Sequence, residues 1–389
     1  MRVLYVTHVC DLGGANRSML QMIKELRANH RVEPYVLLPK STRKLNKLAE
    51  ECVKHEIPYE EYKFVTFKSN KTNLLYKLYF VLLQSCYMFF LFWRLRNEKF
   101  DFIHSNTSVN DTGAWLSILT NTMHVWHLRE YGEKDFKIVS RLGRGYERWI
   151  YSTCKNFIAI SESIKETFNE VIDVKNINVI YNGIVPVSCD LCAKHNGEVV
   201  QFCIVGRVEP AKNQSTVVLA AAELVNRGIR KFHISIIGNL NNKTYVEKIK
   251  EIIKNEGLEK YCELAGEKNN VSELLSYMDV GLMTSRCEAF GRVTVEYMMH
   301  EMAVIASNSG ANKELVHDQD TGLIYGEYMS YEGLADCMQE LLINRELMLR
   351  IASKGRAYAM SNFTSTNNSD KIYNLYQSLL YEKEENFSF

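Results

Sequence analysis

Short runs of branched and aromatic residues alternate with helix-length segments along most of this chain. Residues 2–7 (RVLYVT) make an apolar run of strand length. Residues 16–28 then place Met19, Leu20, Met22, Ile23 and Leu26 at the spacing of a helix stripe. Residues 35–38 predict a second strand and residues 42–54 a second helix. Further strands are expected at 102–104, 124–126 and 157–160, with helical patterns between them. The rhythm then restarts. Strands are expected at 199–205, 232–237, 280–283 and 303–306, with helices at 214–226, about 244–255 and about 293–300. Strands alternating with helices build a parallel sheet with helices on its faces. The polar stretch 186–198 separates the two series and is the expected boundary. The Asn-rich segment 362–368 is expected to break the last helices, leaving 370–380 as a separate amphipathic helix.

Two such sheets facing each other would form a cleft at their strand ends. Ligands of open α/β sheets bind beyond the carboxyl ends of the strands, so chemistry is sought in the loops that follow them.

The chain's 389 residues suit two domains of similar size. A net charge of +1 shows no basic excess, which argues against a nucleic-acid partner. The ten cysteines are scattered and form no disulfide framework, as expected of a protein in a reducing compartment. Cys189 and Cys192, with His195 behind them, are the tightest group, and they read as part of a polar linker. Residues 1–9 are too briefly apolar for a secretory signal and run straight into Gly13 and Gly14. A cytoplasmic protein is expected.

Residues 74–93 (LLYKLYFVLLQSCYMFFLFW) are the most apolar part of the chain. As a helix they would run about 30 Å, near the thickness of a bilayer's hydrocarbon core. A membrane span, an internal packed helix and a helix pressed into a membrane surface all fit that pattern. Lys77, Gln84 and Ser85 interrupt the run, against a span. Lys63, Lys68, Lys71 and Lys77 on one side, and Arg94, Arg96 and Lys99 on the other, favour contact with an anionic lipid surface through about 63–99.

Four groups carry candidate chemistry. Gly13 and Gly14 follow the first strand, where glycine lets the backbone come close to a ligand. GRVEPAK at 206–212 follows a strand and precedes a helix; Arg207 and Lys212 suit a diphosphate, one as a fixed fork and the other as a mobile point charge. EAFGRVTVE at 288–296 sets Glu288 before a helix start at Gly291 and Glu296 within the helix. Carboxylates accept from sugar and ribose hydroxyls, while helix N–H groups suit phosphate. In the first half His104, His127, Arg129 and Glu130 lie at or beyond strand ends, and Ser161 follows another strand as a ligand contact or a helix cap. No compact metal motif is present, so a metal-independent reaction is expected.

These residues resemble those of the group 1, family 4 retaining glycosyltransferases. EAFG with its second glutamate at Glu296 (the E-x7-E pattern), GRVEPAKN, Gly13–Gly14, Ser161 and Tyr181–Asn182–Gly183 occur in the family's order over nearly the whole chain. The resemblance implies an α/β chain of GT-B fold, with two Rossmann-like domains facing a central cleft. Residues 1–187, completed by a final helix at about 368–389, would be the acceptor-side domain and 188–367 the nucleotide-sugar domain. It implies that Gly13 and Gly14 lie near the donor and that His127 contacts the transferred sugar. Arg207 and Lys212 would hold the diphosphate, Glu288 the hexose and Glu296 the ribose, with Gly206, Ala289, Phe290 and Gly291 completing the donor site. Arg129, Glu130 and Ser161 would face the acceptor. The donor would be a nucleotide-diphosphate sugar, by family frequency a UDP-sugar, with no cofactor or metal expected. The acceptor would be a lipid-linked or other glycan in polysaccharide or glycoconjugate synthesis at the cytoplasmic face of a membrane.

The chain departs from the family in two places. Leu128–Arg129–Glu130 follows His127 where many relatives have an acidic residue, and Ala15–Asn16 stands where they often place another. A nucleotide-sugar epimerase of the same fold and a non-catalytic partner subunit are the readings from other classes.

Overall fold

A parallel strand covered by helices on both faces needs apolar residues at consecutive positions, not alternate ones. Val3, Leu4, Tyr5 and Val6 meet that need, each at most 1% exposed. The computed structural model describes residues 1–41, 46–69, 74–132, 138–187 and 197–387. Lys71, Cys189, Cys192 and His195 lie outside them. The described chain forms two units: Met1–Gly183 with Ser365–Phe389, and Ile184–Thr364. The boundaries at 187/188 and 367/368 fall slightly later than these. The difference has a local cause, since Ile184 bridges Thr364 and its N–H donates to the Phe363 carbonyl inside the second unit.

In the first unit the strands are β1 (Arg2–Val6), β2 (Glu33–Pro39), β3 (Tyr59–Tyr62), β4 (Lys68–Ser69), β5 (Phe102–Ser105), β6 (Met123–Leu128), β7 (Val139–Ser140), β8 (Asn156–Ala159) and β9 (Ile177–Val179). Seven form one sheet in the order β3-β2-β1-β5-β6-β8-β9, and β4 pairs with β7 separately. The second unit has β10 (Val200–Val205), β11 (Phe232–Ile237), β12 (Cys262–Gly266), β13 (Val280–Met283), β14 (Ala303–Ser307) and β15 (Leu323–Tyr325), in the order β12-β11-β10-β13-β14-β15. The pairs within these two sheets are parallel. Each sheet reverses its winding once, between β1 and β5 and between β10 and β13. Loops leaving the strands at such a point diverge and leave a crevice for a ligand.

Two elements differ from expectation. The second helix is Lys47–Lys54, because Asn46 caps it by accepting from the Ala49 N–H. Residues 42–45 lie outside the described residues. The last helices do break within 362–368, between Arg345–Asn362 and Ser365–Phe387, but the final helix starts at Ser365 and not near 370, so Asn367 and Asn368 lie inside it. Asn368 gives its amide to the Tyr181 carbonyl and Ser365 its hydroxyl to Glu25, so neither bond is to the helix's own backbone. This last helix buries Ile372, Tyr376 and Leu379 in the first unit's core.

The apolar run forms the helix Leu74–Leu95. Phe80, Gln84, Met88, Leu91 and Leu95 make one buried stripe along it. The stripe is anchored where Gln84 donates to Asp111 and accepts from the Val65 N–H. Phe89, Phe90 and Trp93 stay 67%, 69% and 58% exposed, so the helix is not an internal packed one. Lys68 is not part of a basic rim either. It is 6% exposed, 2.5 Å from Glu147, with its ammonium over the rings of Phe67, Tyr151 and Phe168. A lysine can be buried where a carboxylate and aromatic faces replace its water.

Candidate active site

Loops leaving β10 and β13 meet at the second sheet's winding reversal. Gly206–Lys212 follows β10 and is pinned on several sides. The Val208 N–H donates to the Asn239 carbonyl, the Lys212 N–H to the Glu209 carbonyl, and the Gln214 amide to the Arg207 carbonyl. The Tyr297 hydroxyl accepts from the Val205 N–H at the strand end. β10 and β11 close so tightly that a Cβ on Gly238 would lie 1.8 Å from the Gly206 oxygen.

The loop after β13 is sewn to this one. The Thr284 hydroxyl donates to the Lys212 carbonyl and the Arg286 N–H to the Ala211 carbonyl. Lys212 Nζ and Glu288 Oε1 are 2.5 Å apart. The two sequence motifs are therefore neighbours on one rim of one unit. Arg207 is more open, its side chain 69% exposed and 3.1 Å from Glu209.

Gly291 sits at φ +89 and caps the helix Arg292–Met299. That conformation strains any residue with a Cβ, and a Cβ here would also meet Thr294 Oγ1 at 3.1 Å and Leu315 at 3.2 Å. First-turn N–H groups of a helix have no intrahelical partner, so this end suits an anion. Glu296 lies within the helix, 3.4 Å from Arg292. Phe290 is buried against Phe363, so its backbone and not its ring can line a ligand site.

Several contributors give no signal in the sequence. Gly310, at φ +56, lies over Glu288: a Cβ would come within 2.5 Å of the Glu288 oxygen and 2.6 Å of its nitrogen. The Ala311 N–H donates to the Glu288 carbonyl. Ser307 and Ser309 both donate to the Ser285 carbonyl. Beside Gly291, Thr294 Oγ1 and Asn312 Oδ1 are buried without a hydrogen-bond partner.

In the first unit Gly13 caps the helix Gly14–His30 at φ −63, a torsion open to any residue, so no left-handed turn requires glycine there. Both glycines are exposed. His127 is the penultimate residue of β6 and is fully buried. Burial, then the Arg129 charge and His104, push it well below the ordinary imidazole range, which keeps it neutral. Arg129 is buried too, donating to Asn106 and Asn182. The Glu130 carboxylate accepts from the Thr107 and Ser108 hydroxyls and the Ser108 N–H. Arg129 and the half-buried Glu130 thus brace the loops around His127. Ser161 caps a helix by accepting from the Ile164 N–H. Among the described residues no group of three or more His, Cys, Asp or Glu side chains could hold a metal ion.

The family model "Glycosyltransferase Family 4" matches residues 12–187 and "Glycosyl transferases group 1" matches 193–358. An uncharacterized glycosyltransferase of Methanocaldococcus jannaschii is 27% identical over 270 residues, covering 68% of this chain and 72% of its own. N-acetyl-alpha-D-glucosaminyl L-malate synthase of Bacillus anthracis is 30% identical over 134 residues, 34% of each chain. Among solved structures, HepE of Anabaena in complex with UDP superposes with a TM-score of 0.81 at 21% identity, over 97% of this chain and 100% of that one. At that identity the likeness speaks for the fold alone.

Proposed function

Since the chain belongs to the group 1, family 4 glycosyltransferases and has their GT-B fold, we propose that it moves a hexose from a UDP-sugar to a lipid-linked saccharide, with retention and without a metal. The observation that carries the reading is the meeting of Lys212 and Glu288 beside the helix that starts at Gly291. A cation for phosphate, a carboxylate for hydroxyls and a helix N-terminus for an anion stand together on one rim.

In this reading Lys212, Arg207 and the helix end take the diphosphate. Glu288 accepts from the hexose and Glu296 from the ribose. The bond from the anomeric carbon to the β-phosphate oxygen breaks, and the acceptor hydroxyl adds on the same face. The departing phosphate takes the hydroxyl proton, so no separate base is needed. Catalysis is then positioning together with stabilisation of negative charge on the leaving diphosphate. A uridine donor is supported by HepE, which is described with UDP and glucose. The metal-free mechanism is tested by EDTA. Turnover is expected to persist in excess chelator, and complete loss restored by Mn²⁺ or Mg²⁺ would contradict it.

The lipid-linked acceptor is supported by the outward face of the helix Leu74–Leu95. Its exposed aromatic residues continue into Arg94 and Arg96, the latter stacked 4.7 Å over the Trp93 ring. Aromatic side chains beside arginines suit the boundary of an anionic bilayer at the cytoplasmic face. The protein is expected to co-sediment with phosphatidylglycerol vesicles, and a Phe89→Ser/Phe90→Ser/Trp93→Ser variant to stay in the supernatant. Equal recovery of both in the supernatant would count against membrane contact.

A further inference from the structure

His127 sits at the end of a buried polar chain in the first unit. Its Nδ1 lies 3.1 Å from His104 Nε2 and 3.2 Å from Arg129 Nη2. His104 Nδ1 lies 2.5 Å from the hydroxyl of Tyr376, on the last helix. Ring protons are assigned from such networks, and a chain of two imidazoles can usually be read in either direction. Here Arg129 breaks the tie. A guanidinium only donates, so the nitrogen it faces must carry the lone pair. His127 Nδ1 is therefore bare, and in the neutral ring the proton lies on Nε2. His104 faces that bare nitrogen with its own Nε2, which must donate. Its Nδ1 is left to accept from the Tyr376 hydroxyl. Each position in the chain is thus fixed in turn. Burial, followed by the Arg129 charge, also keeps His104 neutral. The chain ends at His127 Nε2, which is buried and has no hydrogen-bond partner. A buried donor without a partner is costly unless a ligand supplies one.

We infer that Arg129, His104 and Tyr376 are positioning residues that fix His127 as its Nε2–H tautomer, so that it meets the substrate as a neutral hydrogen-bond donor and not as a base. This rests on the reading of His127 as the sugar contact and narrows it, since the group it meets must offer a lone pair, as a sugar hydroxyl or ring oxygen does. The last helix gains a role beyond packing, because it brings Tyr376 to the start of the chain.

The test is a long-range proton–nitrogen correlation on ¹⁵N-histidine-labelled full-length protein at neutral pH. The His127 signals are assigned by their absence from a His127→Gln variant. The wild type is expected to show a bare Nδ1 and a protonated Nε2. Arg129→Gln puts a group that can also accept beside the ring. It should let the Nδ1–H form appear and lower turnover about 10-fold, the share one neutral hydrogen bond carries. Arg129→Lys, which still only donates, should keep the wild-type pattern. A wild-type ring protonated on Nδ1, or on both nitrogens, would overturn the inference, as would Arg129→Gln with unchanged tautomer and turnover. The tautomer is read without ligand. Its failure is therefore distinct from normal turnover in His127→Ala, which would overturn the sugar-contact reading and the donor role built on it.

Discussion

Replacing Lys212 by alanine is expected to lower turnover at saturating donor by about 10²-fold or more, since one charged contact to developing charge carries a few kcal/mol. The loop that holds Lys212 is fixed by its own backbone bonds and by Thr284 and Arg286, none of which needs the ammonium group. The fold should therefore survive. The substitution also leaves Glu288 without the cation now 2.5 Å away. A bare carboxylate beside a diphosphate repels it, so donor affinity should fall together with turnover. Arg207 is expected to matter less, because its side chain is 69% exposed and already faces Glu209. Steady-state kinetics of the two alanine variants, with melting curves as a control, check the order. Normal turnover in Lys212→Ala would remove Lys212 from the mechanism.

Gly310→Ala should be the second largest effect, although Gly310 offers no functional group. Its φ of +56 is one an alanine adopts only with strain, and the added methyl would lie 2.5 Å from the Glu288 oxygen. The backbone of Glu288 must give way. A displacement near 1 Å at a positioning group can cost about 10²-fold in rate. The strain itself costs only about 1–2 kcal/mol, so the protein should still fold. The expected result is a folded enzyme with a modestly lower melting temperature and turnover reduced by about 10- to 100-fold. Full activity in a folded Gly310→Ala protein would show that Glu288 need not be held where it is.

The two parallel sheets were legible because their central strands are nearly continuous apolar runs, as in β1 and β13 and, apart from Gln201, β10. The edges were not. β3 reads YEEY with only Tyr62 buried, and β15 is three residues long, too short for any period to show. The donor rim was legible because each motif is local, a strand, a loop and a helix start in succession. Its bracing was not, because Gly310 and Ala311 reach Glu288 through backbone atoms from another loop. Lys68 shows the opposite error. A lysine in a basic stretch reads as surface, and only the fold brings Glu147 and three aromatic rings around it. Of the His127 chain, His104, His127 and Arg129 stood out at strand ends, but their contacts and the part of Tyr376 did not, since these residues come from separate segments.

In the proposed mechanism the donor's diphosphate binds the second unit between Lys212 and the helix Arg292–Met299. Titration calorimetry with UDP, GDP, dTDP and inorganic pyrophosphate, on the wild type and an Arg207→Ala/Lys212→Ala variant, decides whether it does. The wild type is expected to bind at least one nucleoside diphosphate, UDP first, and the double variant to bind it at least about 10-fold more weakly, the factor that 1.4 kcal/mol represents. Equal affinity in the two proteins, or no binding of any of the four by the wild type, would contradict it.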